Sequence, residues 1–355
     1  MKKKLILVIF FIVSLILIET KFDLISINKK VLKNKDLTQI KTSYYNLNLE
    51  YYKIPLFSKY GAIDSFGNNI VYISGESDFF LLKESQDNKK YILNKINVKK
   101  INNKKNEFLK KNEKELGNIA NDLFGVKDVL IDNFSGYQNK IIIVSSLNYL
   151  EKKDCYNISL YLTEITNINS FKINGWNKIF SSKECLSINL TQKPKFAAAS
   201  AGGRLSKLDD DHIIFTIGDF YADGKNGPIL SQDLNNDYGK ILKINITNNS
   251  HYIYSYGHRN PQGLYIDKNK NIFSTEHGPR HGDEINLILE NKNYGWPYAS
   301  FGTDYTSGKW PLDKTNSTHS YYEKPILSFG NQVGISNLIV YEDSYFDRWN
   351  NNLLV

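Results

Sequence analysis

Five units of similar pattern follow one another along the chain, and this repetition restricts the fold more than any other feature. Each complete unit opens on a glycine in a short apolar segment and continues, after a polar turn, into a β-branched run that ends in Ser or Thr. The opening glycines lie 64, 78, 60 and 71 residues apart, at Gly61, Gly125, Gly203, Gly263 and Gly334. Small antiparallel sheets arranged radially leave only short, protected edges. The pattern therefore predicts an all-β propeller, with a β-sandwich and coincidental glycines as the alternative.

Composition agrees with a folded chain. The 355 residues are 41% hydrophobic and 13% aromatic, which excludes a mainly disordered protein. The net charge of +8 comes mostly from lysines scattered among asparagines, with the densest run at residues 89–114. Few aromatics and several glutamates accompany that run, so it indicates a solvated face and no nucleic-acid partner. Helical periodicity is weak apart from a short helix predicted around Glu107–Leu116.

The first residues predict export. Three lysines at positions 2–4 precede an uncharged run of 14 residues, Leu5–Ile18. A bilayer span needs about 20 apolar residues, yet no small-residue cleavage site follows this shorter run. Residues 1–21 are therefore either a signal peptide or an N-terminal membrane anchor. The expected location is the periplasm, with attachment to the inner membrane if the segment is retained. Residues 22–58 are predicted to form an N-terminal arm.

Cys155 and Cys185 are the only two cysteines. They flank two strand-like runs, Tyr156–Thr163 and Leu186–Leu190. An oxidising compartment favours a disulfide between them. Two free thiols are the alternative, because the sequence does not show that their Cα atoms lie within bridging distance.

The segment 256–302 holds the densest cluster of special residues. It predicts two short strands, Leu264–Ile266 and Asn271–Thr275, between loops rich in Gly and Pro, where binding groups are common. The motifs in and before this segment are, in chain order, GGRL, TIGD, QDL, GKIL, GHRNPQGL, EHGP, DEINL and NYGWP. From about residue 125 to residue 341 the chain resembles the glucose/sorbosone dehydrogenase family, soluble sugar dehydrogenases that use pyrroloquinoline quinone (PQQ) and calcium on a six-bladed β-propeller.

This resemblance implies a six-bladed propeller over residues 59–355 that is incomplete at its C-terminal end. Residues 350–355 look like the opening of the fifth unit's buried strand, so about the last blade and a half is expected to be missing from this chain. The implied function is an exported, PQQ- and calcium-dependent aldose dehydrogenase. Such an enzyme passes electrons from a sugar substrate to an external acceptor.

Five positions match the family's site. Arg259 and Asn260 match the pair that reaches the quinone oxygens, where a cation and an amide stabilise developing charge, and Arg259 is also the candidate catalytic residue. Gly278 and Pro279 match the backbone carbonyls that bind calcium, although a tight turn explains the same pair. Phe329 stands at the sugar site, where the family usually has tryptophan.

Two departures from the family bear on activity. Ser200 replaces the histidine that serves as general base, and Leu123 replaces a glutamine near the cofactor. A serine cannot take a hydroxyl proton at neutral pH without a base of its own, so His258 or Asp219 would have to serve in an active enzyme. The alternative function is a propeller without turnover that binds a sugar, a glycan or a protein.

A metallohydrolase is the remaining alternative. His277 and His281 lie close to Asp283 and Glu284 in the sequence. A His-x3-His pair binds zinc from a helix, however, and the Gly-Pro at positions 278–279 prevents a helix there. The two acidic residues belong to DEINL, and we expect a turn in which they bind backbone groups instead of an acid–base pair.

Overall fold

The computed structural model describes residues 29–32, 34–52, 60–84, 91–167, 171–306, 308–331 and 333–355. Two compact units follow one another, and the boundary falls between Lys100 and Ile101. The predicted signal peptide or anchor at residues 1–21 lies outside the described residues. No helix within the described ranges is long and apolar enough to cross a membrane.

The first unit is built from strands. They are β1 (Lys29–Leu32), β2 (Asn34–Lys41), β3 (Asn46–Tyr52), β4 (Gly61–Phe66), β5 (Asn69–Ser74), β6 (Phe79–Glu84) and β7 (Tyr91–Ile96). One antiparallel sheet has the order β1-β7-β6-β5-β4, and β2 pairs with β3 in a separate hairpin. Alternate side chains cover one face, where Tyr72, Phe80 and Leu82 pack together. Because β1 lies within residues 22–58, part of the predicted arm is the edge strand of this sheet.

The second unit holds the helices and the remaining strands. Its helices are α1 (Lys105–Leu116) and α2 (Asn118–Leu123), with 3₁₀ turns at Glu151–Lys153, Ala198–Ser200 and Asp347–Trp349. Its strands are β8 (Val126–Asp132), β9 (Ile141–Leu150), β10 (Cys155–Asn167), β11 (Lys172–Ile173), β12 (Asn177–Ser181), β13 (Gly202–Lys207), β14 (His212–Ile217), β15 (Lys240–Asn245), β16 (His251–Tyr256), β17 (Pro261–Ile266), β18 (Ile272–Glu276), β19 (Glu284–Ile288), β20 (Lys292–Asn293), β21 (Thr303–Asp304), β22 (Gly308–Lys309), β23 (Leu327–Ser328), β24 (Ile339–Tyr341) and β25 (Asn352–Leu354).

These strands form successive sheets, and the first strands of neighbouring sheets lie next to one another in space. The orders are β11-β10-β9-β8 with β12 on β10, then β13-β14-β15-β16-β20, then β17-β18-β19-β23. The first strand of each sheet contacts the first strand of the next, from β8 to β13 to β17, and β24 follows against β17. This propeller-like arrangement confirms the all-β prediction and the repeated units. The number six for the blades stays a prediction.

The opening glycines of the repeat allow this close approach of first strands. A Cβ atom at Gly203, where φ is +99°, would lie 2.5 Å from the Cβ of Lys127 on β8. A Cβ at Gly263 would run into Thr275 Oγ1 and the carbonyl oxygen of Ser336. Glycine is therefore required where β13 meets β8 and where β17 meets β18 and the segment before β24.

An aromatic cluster holds the first of these sheets against α1. The predicted helix is present, and its Phe108 stacks on Phe124 at 4.5 Å and lies 4.9 Å from Phe196, between ring centroids. Tyr156 packs edge-on against Phe196 at 5.0 Å. All four rings are buried, and truncating one such ring costs about 3–5 kcal/mol. Since Phe196 lies two residues before the turn Ala198–Ser200, this cluster helps to fix the backbone that carries Ser200.

A disulfide joins Cys155 and Cys185, with a Cα–Cα distance of 5.5 Å. The strand predicted at Leu186–Leu190 is wrong, because only Leu186 pairs, in an isolated bridge to Tyr156. Beyond it the chain turns, with the Leu190 amide donating to the carbonyl of Ser187. Polar residues within the segment favour that turn.

Candidate functional site

Three loops of the second unit meet at the start of its first strands. The first residue of β13 joins the loop before β17, because the Gly202 amide donates to Asn260 Oδ1 at 3.2 Å. The Asp219 amide donates to the carbonyl of Arg259 at 2.8 Å. Arg259 Nη1 donates in turn to the carbonyl of His277, in the loop after β18, at 3.0 Å. Ends of adjacent first strands thus bring together residues that are far apart in sequence.

The guanidinium group of Arg259 lies between two aromatic rings. Its central carbon is 5.4 Å from the ring centroid of Tyr221 and 5.4 Å from that of Trp296. The residue is only 7% exposed. Ring faces attract a cation, more strongly away from water, so the two rings fix the direction of this positive charge.

Asp219 is the centre of the site. Its Oδ1 accepts hydrogen bonds from Ser200 Oγ and from the Tyr221 amide, both at 2.8 Å. Its Oδ2 accepts from Trp296 Nε1 at 2.7 Å. Burial raises the pKa of Asp219 to about 7; the charge of Arg259 opposes this shift, and Asp223 adds to it. One carboxyl group therefore contacts Ser200 and both residues that flank Arg259.

Asn260 is held by its side-chain oxygen. Besides the Gly202 amide, Oδ1 accepts from Gln262 Nε2 at 2.9 Å. The Nδ2 atom lies 3.5 Å from the carbonyl of Ala199, which is long for a hydrogen bond. The amide is thus anchored on one side, and its donor side faces the exposed Ala199.

The predicted calcium loop follows β18. The Gly278 amide donates to Asp283 Oδ1 at 3.0 Å, and the Pro279 carbonyl accepts from Tyr305 Oη at 2.5 Å. A Cβ at Gly278 would collide with the carbonyl oxygen of His281, so the loop folds tightly with carbonyls close to one another. Such oxygens suit calcium by type, although the Pro279 oxygen would share its lone pairs with Tyr305.

Asp283 joins this loop to the position predicted for the sugar. Its Oδ2 accepts from the amides of Val333 and Gly334, at 3.1 and 2.8 Å, which confirms that this residue of DEINL binds backbone. The Phe329 amide donates to the Asp283 carbonyl at 2.8 Å. Phe329, which is half-buried, therefore lies beside the loop that contains Gly278.

His258 and His277 differ in burial and in the partners of their ring nitrogens. His258 is fully buried, with Nδ1 3.0 Å from Glu276 Oε2 and Nε2 2.8 Å from Ser255 Oγ, and its ring stacks on Tyr294 at 4.6 Å. Both of its nitrogens are thus engaged in the interior. His277 is half-buried, and burial lowers its pKa, so its imidazole is neutral at pH 7.

The geometry gives the metallohydrolase alternative no ligand set. The loop that carries His277 and His281 is not helical, and His281 Nδ1 is buried without a hydrogen-bond partner. In the part of the chain that the structure describes, no group of three or more His, Cys, Asp or Glu could hold a metal ion.

Sequence reasoning missed three residues around the site. Trp296 lies in NYGWP and Tyr221 follows TIGD, but nothing in either motif indicates that both rings would flank Arg259. Lys127 has no motif at all. Its Nζ donates to the carbonyls of Leu123 and Ala198, at 2.9 and 3.2 Å, and burial lowers its pKa to about 7.

A cavity of about 20 Å³ lies next to Arg259, lined in part by His277, Gly278 and Trp296. It has room for about one water molecule. The cavity is therefore too small to enclose a ligand as large as PQQ, and the residues around it are the ones to test for fit. The residue types there, a guanidinium, an amide and backbone carbonyls, fit an anionic quinone with a hard cation.

Sheets that fan out from adjacent first strands, as they do here, define a β-propeller-like fold. The Glucose / Sorbosone dehydrogenase family model matches residues 125–355, so the chain belongs to that family.

Relatives support this assignment over part of their length. The chain is 30% identical over 179 residues to Aldose sugar dehydrogenase YliI of Escherichia coli, covering 46% of this chain and 47% of that protein. It is 38% identical over 121 residues to Quinoprotein glucose dehydrogenase B of Acinetobacter calcoaceticus, covering 27% and 25% of the two chains. The chain thus matches about half or less of these relatives.

Solved structures share the fold. The apo form of the soluble aldose sugar dehydrogenase from Escherichia coli superposes with a TM-score of 0.59 at 19% identity, covering 82% of this chain and 78% of that one. The PQQ-bound aldose sugar dehydrogenase from Streptomyces coelicolor gives a TM-score of 0.50 at 18% identity, covering 87% and 75%.

Proposed function

We propose that this protein is an exported dehydrogenase that oxidises aldose sugars with PQQ and calcium and passes the electrons to an external acceptor. Family membership and the quinoprotein relatives support this proposal. The observation that carries it is the position of Arg259 and Asn260 beside the carbonyl loop at Gly278 and Pro279, linked through the carbonyl of His277. PQQ, when bound, would supply a two-electron oxidant.

The chain's own residues would divide the work. Arg259, fixed between two rings, would place a positive charge at the quinone oxygens, and Asn260 would add an amide donor. The carbonyls of Gly278 and Pro279 would hold calcium. Phe329 would lie against the sugar.

Cofactor binding tests the proposal directly. Adding PQQ and calcium to the purified protein should quench tryptophan fluorescence, because Trp296 contacts Arg259. A chelator should reverse the quenching, and Arg259→Ala should weaken binding by at least about tenfold, as expected for losing an interaction of about 1.4 kcal/mol. Arg348→Ala is the matched control, because this arginine is exposed in the 3₁₀ turn Asp347–Trp349. Binding that ignores both the chelator and Arg259→Ala would rule out this site.

A propeller that binds a sugar or glycan without turnover is the second candidate. Ser200, in place of a histidine base, is the observation that favours it. Calorimetry with mono- and oligosaccharides, with and without PQQ, separates the candidates. Sugar binding without any PQQ binding would support the binder.

Export rests on residues 1–21. Cell fractionation should place the protein outside the cytoplasm, and replacing the three lysines at positions 2–4 with glutamate should reduce this export. Wild-type protein found only in the cytoplasm would contradict the proposed location.

A further inference from the structure

We propose that Ser200 and Asp219 act together as the proton acceptor of this dehydrogenase: the Ser200 hydroxyl takes the proton of the sugar's C1 hydroxyl while passing its own proton to Asp219. This inference rests on the proposed function and adds a catalytic role to both residues. It also explains how a chain with serine at this position could still turn over a sugar.

The hydrogen bond between the two side chains has the required direction. Ser200 Oγ lies 2.8 Å from Asp219 Oδ1 and 3.4 Å from the carbonyl of Arg259, so its proton points to the carboxylate. A hydroxyl that donates its proton inward keeps its oxygen lone pairs for a second donor. Ser200 is 1% exposed, but its neighbour Ala199 reaches the surface. In the proposed step the sugar hydroxyl donates to Ser200 Oγ, directly or through one water.

Other buried carboxylates near Arg259 have different partners. Glu276 binds His258 Nδ1 and the Arg259 amide, and Asp283 accepts from three backbone amides. Backbone amides cannot pass on a proton, so Asp283 has no partner for a relay. Glu276 is bonded to His258, whose two ring nitrogens are both engaged in the interior. Asp219 differs because one of its donors is a hydroxyl.

Charged and polar groups reach Asp219 from each neighbouring segment. Arg259 approaches from the loop before β17, Trp296 from the loop after β20, Ser200 from its 3₁₀ turn, and Asp223 from Asp219's own loop. Burial is the largest influence and raises the pKa of Asp219 to about 7. Asp219 is therefore a stronger base than an exposed aspartate.

The proton step balances at each oxygen. The O–H bond of the C1 hydroxyl breaks as a new O–H bond forms at Ser200 Oγ, and the original Ser200 O–H bond breaks as Asp219 gains the proton. Serine ends neutral, and the aspartate becomes a neutral acid. PQQ, when bound, would supply the two-electron oxidant that takes the C1–H hydrogen with its electron pair, so the sugar would become a lactone.

Turnover and its pH dependence test the pair. Ser200→Ala and Asp219→Asn should each lower kcat/KM for aldoses by about 10²–10⁴-fold. Ser200→Thr keeps the hydroxyl and should therefore retain most of the wild-type kcat/KM. Wild-type kcat/KM should rise with pH through about 7, because the base acts ionised, and this inflection should vanish in Asp219→Asn. Asp223→Asn is the matched control. It removes a neighbouring buried negative charge, so activity should persist with the inflection moved to lower pH.

A second measurement needs no cofactor. Infrared difference spectra of wild type minus Asp219→Asn should show a protonated carboxyl band that disappears as pH rises through about 7. If Asp219→Asn fails to fold, the Ser200→Ala and Ser200→Thr pair still tests the relay. Undiminished turnover and an unchanged pH profile in Ser200→Ala would overturn the proposed relay. If the pH inflection is lost in His277→Gln and not in Asp219→Asn, the base is His277. A wild type that binds no PQQ would refute the proposed function itself, which distinguishes the two failures.

Discussion

Asp219 and Lys240 are both buried ionisable groups of the second unit, but their side chains bind different kinds of partner. Lys240, 0% exposed at the start of β15, donates from Nζ to the carbonyls of Leu230 and Tyr238 at 2.8 and 2.6 Å. Burial brings both pKa values to about 7, downward for Lys240 and upward for Asp219. A perturbed pKa therefore does not by itself distinguish a site from a structural tie.

Their partners make the difference. Lys240 binds only backbone oxygens among the hydrogen bonds that the described chain shows, so it ties the loop 230–238 to β15. Asp219 binds Ser200 and Trp296, side chains next to the cation of Arg259. A buried charge indicates a functional site when its partners are groups that a ligand can use.

The largest effect should come from Lys240→Met. It leaves the Tyr238 carbonyl without a donor among the described residues, whereas the Leu230 carbonyl still accepts from the Asp233 amide and from Asn236 Nδ2. One unsatisfied carbonyl and one further lost hydrogen bond should together lower the free energy of unfolding by about 2–5 kcal/mol. Urea denaturation measures this loss. PQQ affinity of the folded fraction should not change. A loss below about 1 kcal/mol would show that Lys240 contributes little to the fold. A weakened PQQ affinity would show that Lys240 also affects the candidate site.

Replacing both Cys155 and Cys185 with serine should lower the free energy of unfolding by a similar amount. The bridge spans 30 residues of sequence, for which loop-closure entropy gives about 3–4 kcal/mol. As with Lys240, the effect should fall on stability alone. Thiol titration of the unfolded, unreduced wild type should find no free thiol, and finding two would refute the bridge.

The pH dependence of stability should separate the two groups by sign. Between about pH 4 and 7, folded Asp219 holds a proton that the unfolded chain has released, so its contribution to the unfolding free energy falls by about 1.4 kcal/mol per pH unit as pH rises. Between about pH 7 and 10.5 the unfolded lysine is protonated and folded Lys240 is not, so its contribution rises with pH by a similar slope. Denaturation of Asp219→Asn and Lys240→Met across this range should each remove one slope. Loss of the same slope in both variants would show that the two groups do not titrate independently.

The smallest effect should follow Trp296→Phe. It keeps a ring beside Arg259 but removes the Nε1 donor that stabilises ionised Asp219. The pKa of Asp219 should rise, and the inflection in kcat/KM should move up by about one pH unit or less, equivalent to about 1.4 kcal/mol. Trp310→Phe is the matched control, because this ring stacks on Trp296 and its Nε1 binds the carbonyl of Pro297. An equal shift in both variants would mean that packing, not the donor, sets the pKa.

Local patterns in the sequence predicted the strands and α1 well. Gly and Pro bounded β17 and β18, and β-branched runs matched β9 and β14, because strand formation there depends on neighbouring residues. The edge strand β1 escaped prediction because its partner β7 lies about 60 residues away. Its short polar segment has no pattern of its own.

The site was predictable only in part. Motifs located Arg259, Asn260 and the loop at Gly278, but the contacts of Asp219 with residues 200 and 296 depend on first strands meeting in space. No spacing in the sequence encodes that meeting. It follows from the sheet order, which depends on contacts between distant segments.

The packing of Phe196 has an evolutionary consequence. This ring, with Phe108 and the bonds from Lys127, holds the turn before β13 through backbone and neighbouring residues, so the side chain at position 200 contributes little to its shape. Selection can therefore exchange the reactive group at Ser200 while the scaffold stays in place. Substitutions at position 200 should therefore change reactivity more than they change stability.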